Sequence, residues 1–531
     1  MLRCLAALPL LLTALAAHAQ GPDLPFTVEV VEGTQQNAPA LHSGAVAEHD
    51  GRWLFLAGRT NGLHGITVAG DAFPPSAANA EAVVYDPATD QRWAASLDGL
   101  PAALREPLEA VNVQHHQDGE TLYVVGGYGY SATAGDHVTY GTLTAVDVPG
   151  LIGAVIGGGA LEPHLRLLAD DRLRVTGGHL VALGDRYVLA GGQRFDGPYR
   201  FLPEPGQQAY TDALRAFTIE DDGTTLALSG YAETVDPDRL HRRDGNVGPV
   251  VRADGSAAYA LYGGVFTEDT LPYRTPVTFD AESLEERAYE AQFGHYTAPL
   301  LPIYDAERGA MHTVFFGGMG QFWYDEASQT VEQDNLVPFI DDVAVLTVGE
   351  DGSVSERVLD PLPGYLGTNA YLFLDPATPT TAHGVIELQA LSGRTRVGAF
   401  LGGIAADTEH PGFMPTTGTT WASDRLFELY VTPLTSSAVE GGAPEGFRVA
   451  LTGPNPFRER TRLAVTLDAP GTWTVAVFDA VGRRVARLHD GPLAAGPHVF
   501  DVEGARLPAG VYGVRVSGPQ GAFTERLVRL R

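Results

Sequence analysis

Short apolar runs that end in a pair of glycines punctuate the chain. The fullest is Glu120-Thr121-Leu122-Tyr123-Val124-Val125-Gly126-Gly127. Variants return as Trp53-Leu54-Phe55-Leu56-Ala57-Gly58, Tyr187-Val188-Leu189-Ala190-Gly191-Gly192, Ala260-Leu261-Tyr262-Gly263-Gly264, Val314-Phe315-Phe316-Gly317-Gly318 and Ala399-Phe400-Leu401-Gly402-Gly403. Each reads as a buried strand. The last glycines stand at 58, 127, 192, 264, 318 and 403, a spacing that belongs to an array of supersecondary modules rather than to one continuous sheet.

Other elements fall into place around these strands. A strand and a tight turn precede several of them: residues 42–47 with Asp50-Gly51, 111–114 with Asp118-Gly119, and 247–251 with Asp254-Gly255. Asp-Gly supplies the positive φ that a two-residue hairpin demands. A third strand follows, clearest at 82–86, and Gln91-Arg92-Trp93 starts a fourth; residues 277–281 and 427–431 fill the third slot in later units. Four antiparallel strands per unit, six units and no helices predict an all-β fold, a six-bladed β-propeller over residues 26–435. Gly177-Gly178 and residues 226–230 fall outside the column, so seven blades are the alternative. The glycine pairs suit a strand that bends near a crowded axis, where φ > 0 is needed and a Cβ is not tolerated. A phosphate cradle would need a following helix, and no helical pattern follows any pair.

Residues 26–32 alternate apolar and polar. The sixth unit supplies 371–374, 397–401 and 426–431 and then runs into linker, which leaves an edge unpaired. Residues 26–33 are therefore expected to pair beside 426–431 as the closing strand of the last blade. Residues 436–446 are a small, polar linker. Beyond it, 447–531 hold six or seven short strands with turns at Ala469-Pro470-Gly471, Asp490-Gly491 and Pro508-Ala509-Gly510, the pattern of a small Ig-like β-sandwich.

Met1-Leu2-Arg3, an apolar run over 5–17 and the triplet Ala17-His18-Ala19 read as a secretory signal peptide, residues 1–19, cut between Ala19 and Gln20. No later run approaches a membrane span. Cys4 is the single cysteine and leaves with the signal, so the mature chain is expected to have no disulfide and no thiolate chemistry. The formal net charge is −30 and every basic residue is Arg. Such an acidic chain repels nucleic acid and anionic membrane; the charge reads chiefly as a solvated surface, with calcium binding by Asp341-Asp342 as a minor reading.

Candidates for ligand contact lie near the openings of first strands, where loops converge: His42, Asn112, His179, Asn246, His295 and Asn369, taken as roughly equivalent positions. No metal or cofactor is expected. His115 and His116 are adjacent on a strand and point to opposite faces, so they cannot share one metal. No Gly-x-Ser-x-Gly or His-Glu-x-x-His motif is present.

Resemblances to known families add to this reading. Apolar strands ending in Gly-Gly, followed by Val84-Tyr85-Asp86-Pro87-Ala88-Thr89 and Trp93, resemble the kelch repeat, over roughly residues 35–435. The later units lack the Trp, Ala57 precedes Gly58, and the units are longer than the usual repeat, which implies long loops. The fold also resembles copper-radical oxidases, but that chemistry needs a cysteine crosslinked to tyrosine. The tail is similar to the type A C-terminal sorting domain of type IX secretion, through Pro454-Asn455-Pro456-Phe457, Asp479 with Gly482, and Gly510-Val511-Tyr512. That resemblance implies a Gram-negative bacterium of the Bacteroidetes kind, export across the outer membrane, the secretion machinery as partner, and a secreted or cell-surface destination. The expected function is a secreted binding module for glycan or protein. An extracellular carbohydrate-active enzyme, an isomerase, epimerase or lyase, is the alternative.

Overall fold

A computed structural model describes residues 24–65, 72–200, 206–286, 289–293, 295–325, 328, 330–411, 419–434, 447–455, 457–479, 484–504, 507–508, 510–518 and 521–530. The expected signal peptide, its cut between Ala19 and Gln20, and the linker at 436–446 lie outside the described residues. The chain divides into two compact units, Met1–Pro433 and Leu434–Arg531. The fold is all-β, built from many small antiparallel sheets.

In the first unit, six sheets among the described residues repeat one four-strand meander. The first runs Ala45–His49, Arg52–Leu56, Glu81–Asp86, Gln91–Ser96, and the second Gln114–Asp118, Thr121–Val125, Thr142–Asp147, Leu165–Ala169. The third is His179–Leu183, Arg186–Ala190, Ala213–Asp221, Leu226–Val235, and the fourth Asn246–Val251, Ala257–Tyr262, Val277–Phe279, Leu284–Glu286. The fifth is Leu300–Asp305, Ala310–Phe316, Val343–Gly349, Val354–Leu359, extended by the short parallel strand Ile386–Glu387. The sixth takes Tyr371–Leu374, Thr395–Leu401 and Leu426–Pro433, and its fourth strand is Phe26–Glu32. That N-terminal strand pairs antiparallel from Phe26 opposite Pro433 to Glu32 opposite Phe427, the partnership its alternating pattern suggested.

Why the second strands turn apolar on both faces as they approach the glycine pairs is now visible. In Thr121–Val125, Leu122 and Val124 share a core with the first sheet, while Tyr123 and Val125 share one with the third. Successive side chains point to opposite faces, and both faces are covered. The same sharing joins third to fourth, fourth to fifth and fifth to sixth sheets. Trp53 and Phe55 of the first sheet pack with Tyr371 and Phe373 of the sixth, the Trp53 and Phe373 rings stacked at 4.0 Å.

The glycine pairs act as backbone joints. Both residues of each pair have φ between 59° and 94°, and at most of these joints the last glycine donates to a carbonyl leading into the next sheet: Gly58 to Ala110, Gly127 to Val175, Gly192 to Arg242, Gly318 to Leu366. Gly403 donates to Leu41, which leads into the first sheet. A Cβ at Gly126 would stand 2.1 Å from the Val175 oxygen, so the joint excludes any side chain. Ala57 takes the same conformation, φ 58°, with its methyl buried.

Two expectations are corrected. The chain does contain helices, notably Ala102–Leu108 and Val148–Gly157. The second is capped by Asp147, whose carboxylate accepts from Gly150 N–H at 3.2 Å, and by Gly158 in the left-handed region. Its glycine-rich sequence hid it; Leu151, Ile152 and Val155 bury against the first sheet's core, and packing overrides propensity. Residues 111–113 are a turn, with the strand starting at Gln114. The stretches outside the column are the turn before the third sheet, at Gly177-Gly178, and that sheet's fourth strand, Leu226–Val235.

In the second unit, Phe447–Leu451, Arg460–Leu467 and Gly496–Glu503 form one sheet. Arg484–Leu493, Gly471–Asp479, Gly510–Gly518 and Gly521–Arg529 form another. One core, with Trp473, Val475, Val477, Val514 and Val516 from the four-stranded sheet facing Leu463, Val465 and Val502, lies between them. Among the described residues no helix is long and apolar enough to cross a membrane.

Candidate functional site

Six turns lead the chain into the first strands of the six sheets, and they share one backbone design. Ser43, Asn112, Gly177, Asp244, Thr297 and Asn369 occupy the same place, each with φ between 49° and 65°. The residue before each bridges to the residue after its own glycine pair: His42 to Arg59, Val111 to Tyr128, Thr176 to Gln193, Arg243 to Val265, Tyr296 to Met319 and Thr368 to Ile404. Backbone hydrogen bonds pass from turn to turn, Asn112 N–H to Ser43 at 2.8 Å, Gly177 to Asn112 at 3.1 Å, Asp244 to Gly177 at 2.8 Å and Asn369 to Thr297 at 3.0 Å.

All six turns border one cavity of about 290 Å³. Gln114, His115, His179 and Asn246 add amides and imidazoles to its wall. Burial pushes the His115 and His179 imidazoles down to about 4, so both are neutral at pH 7. Asp244 alone among the described lining residues carries a charge. Its carboxylate accepts from Asn112 Nδ2 at 3.3 Å and the Tyr296 hydroxyl at 3.4 Å, and pairs with the Arg243 guanidinium. The Thr297 hydroxyl is buried without a hydrogen-bond partner.

The six candidates from sequence therefore divide. Asn112 and Asn369 sit at the shared turn position, and His179 and Asn246 also border the cavity. Asn246 is spent on structure: its Nδ2 donates to the His295 carbonyl at 2.7 Å and its Oδ1 accepts from Ala298 N–H at 2.7 Å. His42 and His295 do not border the cavity. His42 Nε2 donates to the Asn61 carbonyl at 2.8 Å, and His295 Nδ1 to the Gly317 carbonyl at 3.0 Å while stacking on Phe315. Burial holds them neutral, at about 3 and about 4. The six residues are not equivalent positions; they were chosen by side-chain polarity, whereas the turn is defined by its backbone. His115 borders the cavity and His116 packs edge-on against Tyr187, so the two imidazoles do face apart.

Sequence reasoning missed a cluster beside the turns. After each glycine pair the chain makes a long excursion, leaving its sheet at the end where the turns come in. His64 and Tyr199, from the first and third excursions, meet at 5.0 Å, and His64 lies 4.6 Å from Phe73. Burial first, then the charges of Arg59 and Arg243, push His64 down to about 3. Burial opposes the charge on Arg243, but Asp244 and the phenols of Tyr296, Tyr210 and Tyr199 outweigh it. Tyr296 is held protonated by burial and by Asp244. Tyr130, Phe266 and Trp421 are 41%, 39% and 44% exposed, each on an excursion of a different sheet.

In the second unit the tail motifs pack together. Asn455 Oδ1 accepts from Val528 N–H at 2.8 Å, and buried Phe457 bonds through its backbone to Val528 and Leu530 on either side of Arg529. Asp479 pairs in register with Tyr512, whose hydroxyl donates to the Pro508 carbonyl at 2.8 Å. Gly510 opens that strand and Pro454 precedes the bonded segment. Pro456 and Gly482 lie outside the described residues. No family model matches the chain, and no curated protein sequence matches it.

Proposed function

We propose that the chain is an exported six-bladed, kelch-like β-propeller that binds glycan or protein on the face built by its excursions, and that 447–531 sort it through type IX secretion to the exterior or the cell surface. Six shared cores in cyclic order, and the Gly403 bond to Leu41, support the propeller and its blade count. The observation that carries the binding reading is the trio Tyr130, Phe266 and Trp421, large aromatic side chains left exposed on excursions that all leave at one end. Aromatic side chains are enriched at contact surfaces. The test is capture on a glycan array and on surface-protein extracts, comparing the mature protein with the Tyr130→Ala, Phe266→Ala, Trp421→Ala triple variant. Undiminished capture by the triple variant would remove the binding reading. A fusion of residues 436–531 to a periplasmic reporter should reach the surface; retention in the periplasm would falsify the sorting role.

A second reading, a carbohydrate isomerase, epimerase or lyase, is favoured by Arg243 and Tyr296 meeting on the carboxylate of Asp244, the charged residue of the cavity wall. The buried Tyr296 phenol is held protonated and suits a proton donor better than a base. New products detected by mass spectrometry after incubation with polysaccharides, and lost in Tyr296→Phe, would favour it.

A further inference from the structure

Between the first and second sheets' excursions lies a separate cleft of about 90 Å³. Arg105 comes from the helix Ala102–Leu108, and Glu109 follows that helix directly. Tyr130 stands on the hairpin formed by Tyr128–Ser131 and Asp136–Thr139, and Phe73 closes the wall from the first excursion.

The hairpin is held in place. Glu106, on the same helix, accepts from Ser131 Oγ at 2.6 Å, Thr133 N–H at 3.1 Å and Thr133 Oγ1 at 2.8 Å, and the Tyr140 hydroxyl donates to the Tyr130 carbonyl at 3.1 Å. Glu106 is thus committed to structure, and these bonds outweigh burial to keep its pKa low. Arg105 and Glu109 are differently placed. They form an ion pair at 3.6 Å, too long for a hydrogen bond, so buried Arg105 Nε has no hydrogen-bond partner. Burial pushes the Glu109 carboxyl up. A buried donor without a partner is costly unless something else fills it.

The cleft therefore offers an aromatic ring on a fixed hairpin beside a guanidinium and a carboxylate with unspent hydrogen-bonding capacity. A pyranose presents the matching surfaces, an apolar C–H face and adjacent hydroxyls that both donate and accept. Arg59 and Arg105 balance Glu106 and Glu109 in charge, which suits a neutral sugar. We propose that this cleft is a saccharide subsite for one neutral pyranose ring, with Tyr130 against its C–H face and Arg105 and Glu109 on its hydroxyls. This rests on the binding reading of the excursion face and narrows it to one ligand class and one place.

The test is calorimetric titration of the mature protein with cellobiose, maltose and lactose, and with glucuronate as the acidic counterpart. At least one neutral disaccharide should bind at millimolar concentration, and more tightly than glucuronate. Tyr130→Ala and Glu109→Gln should each weaken it at least tenfold with the melting temperature unchanged, while Tyr130→Phe keeps it. Val235→Ala, on an exposed strand of the third sheet, should bind as wild type does. The cleft assignment is overturned if no neutral disaccharide binds, if glucuronate binds better, or if binding survives both Tyr130→Ala and Glu109→Gln. Sugar binding lost only in Phe266→Ala or Trp421→Ala would overturn the cleft and leave the face reading standing. Undiminished capture by the triple variant would instead remove the face reading.

Discussion

The N-terminal strand offers the sharpest test of how the first unit holds together. Phe26 begins the strand at 2% exposure, edge-on to the His312 ring at 5.1 Å. It shares a core with Leu301, Ile303, Val314 and Phe316 of the fifth sheet and with Phe427, Leu429 and Val431 of the sixth. Its phenyl ring thus fixes the strand Phe26–Glu32 between two sheets whose other strands lie hundreds of residues later in the sequence. Phe26→Ala removes a buried ring and leaves a cavity, a loss of about 3–5 kcal/mol. The strand's ion pairs, Glu29 with Arg394 and Glu32 with Arg425, stand largely in solvent and contribute far less. For a unit of roughly 400 residues unfolding cooperatively, with unfolding entropy of about 2.1 cal/mol/K per residue, that loss lowers the melting temperature by about 4–6 °C. Scanning calorimetry of the mature protein would measure it, with Glu29→Gln as the control expected to shift by less than about 1 °C. Deleting 26–33 should shift it further, because Leu426–Pro433 then becomes an unpaired edge. A Phe26→Ala melt within about 1 °C of wild type would refute the reasoning, since the cavity term alone exceeds that.

Gly126→Ala should cost about 3 kcal/mol or more in urea unfolding, from the left-handed φ and the backbone clash combined. Ala57→Gly should stay within about 1 kcal/mol of wild type, because relief of the left-handed conformation offsets the lost methyl burial; a large loss there would show that Ala57 is unstrained. Burial holds His42 at about 3 and His115, His179 and His295 at about 4, below the ordinary 6.5. The unfolded chain then takes up these protons first as the pH falls, so their contribution is complete above about 6.5 and drains away between 6.5 and about 3. Urea midpoints that stay flat between pH 6.5 and 4.5 would contradict this. Asn455→Ala should lower the second unit's unfolding free energy by about 1 kcal/mol through loss of the bond to Val528 N–H; an unchanged transition would separate that motif from the terminal strand's stability.

The six second strands were legible because a single physical demand repeats in them. Both faces must be apolar, and the joint at the end must take positive φ twice against a neighbouring carbonyl, so the residues themselves repeat. The turns bordering the cavity obey an equally strict backbone rule but constrain only φ. Ser, Asn, Gly, Asp, Thr and Asn all satisfy it, so no common side chain announced them, and choosing by polarity landed one residue early at His42 and two late at His179. A register signal did exist: Ser43, Asn112 and Gly177 each stand fifteen residues before the last glycine of their unit. It fades at Asp244 and beyond, where the intervening segments lengthen. The excursions had no such signal. His64 and Tyr199 come from excursions of two sheets and Arg243 and Tyr296 from the turns into two others, and what brings them together is the common end at which excursions leave and turns come in. A backbone that fixes φ and leaves the side chain free lets one turn differ chemically from the other five. Asp244 is that turn. Holding Asn112, Tyr296 and Arg243 at once, it breaks the equivalence of six otherwise similar turns and gives the cavity one charged side.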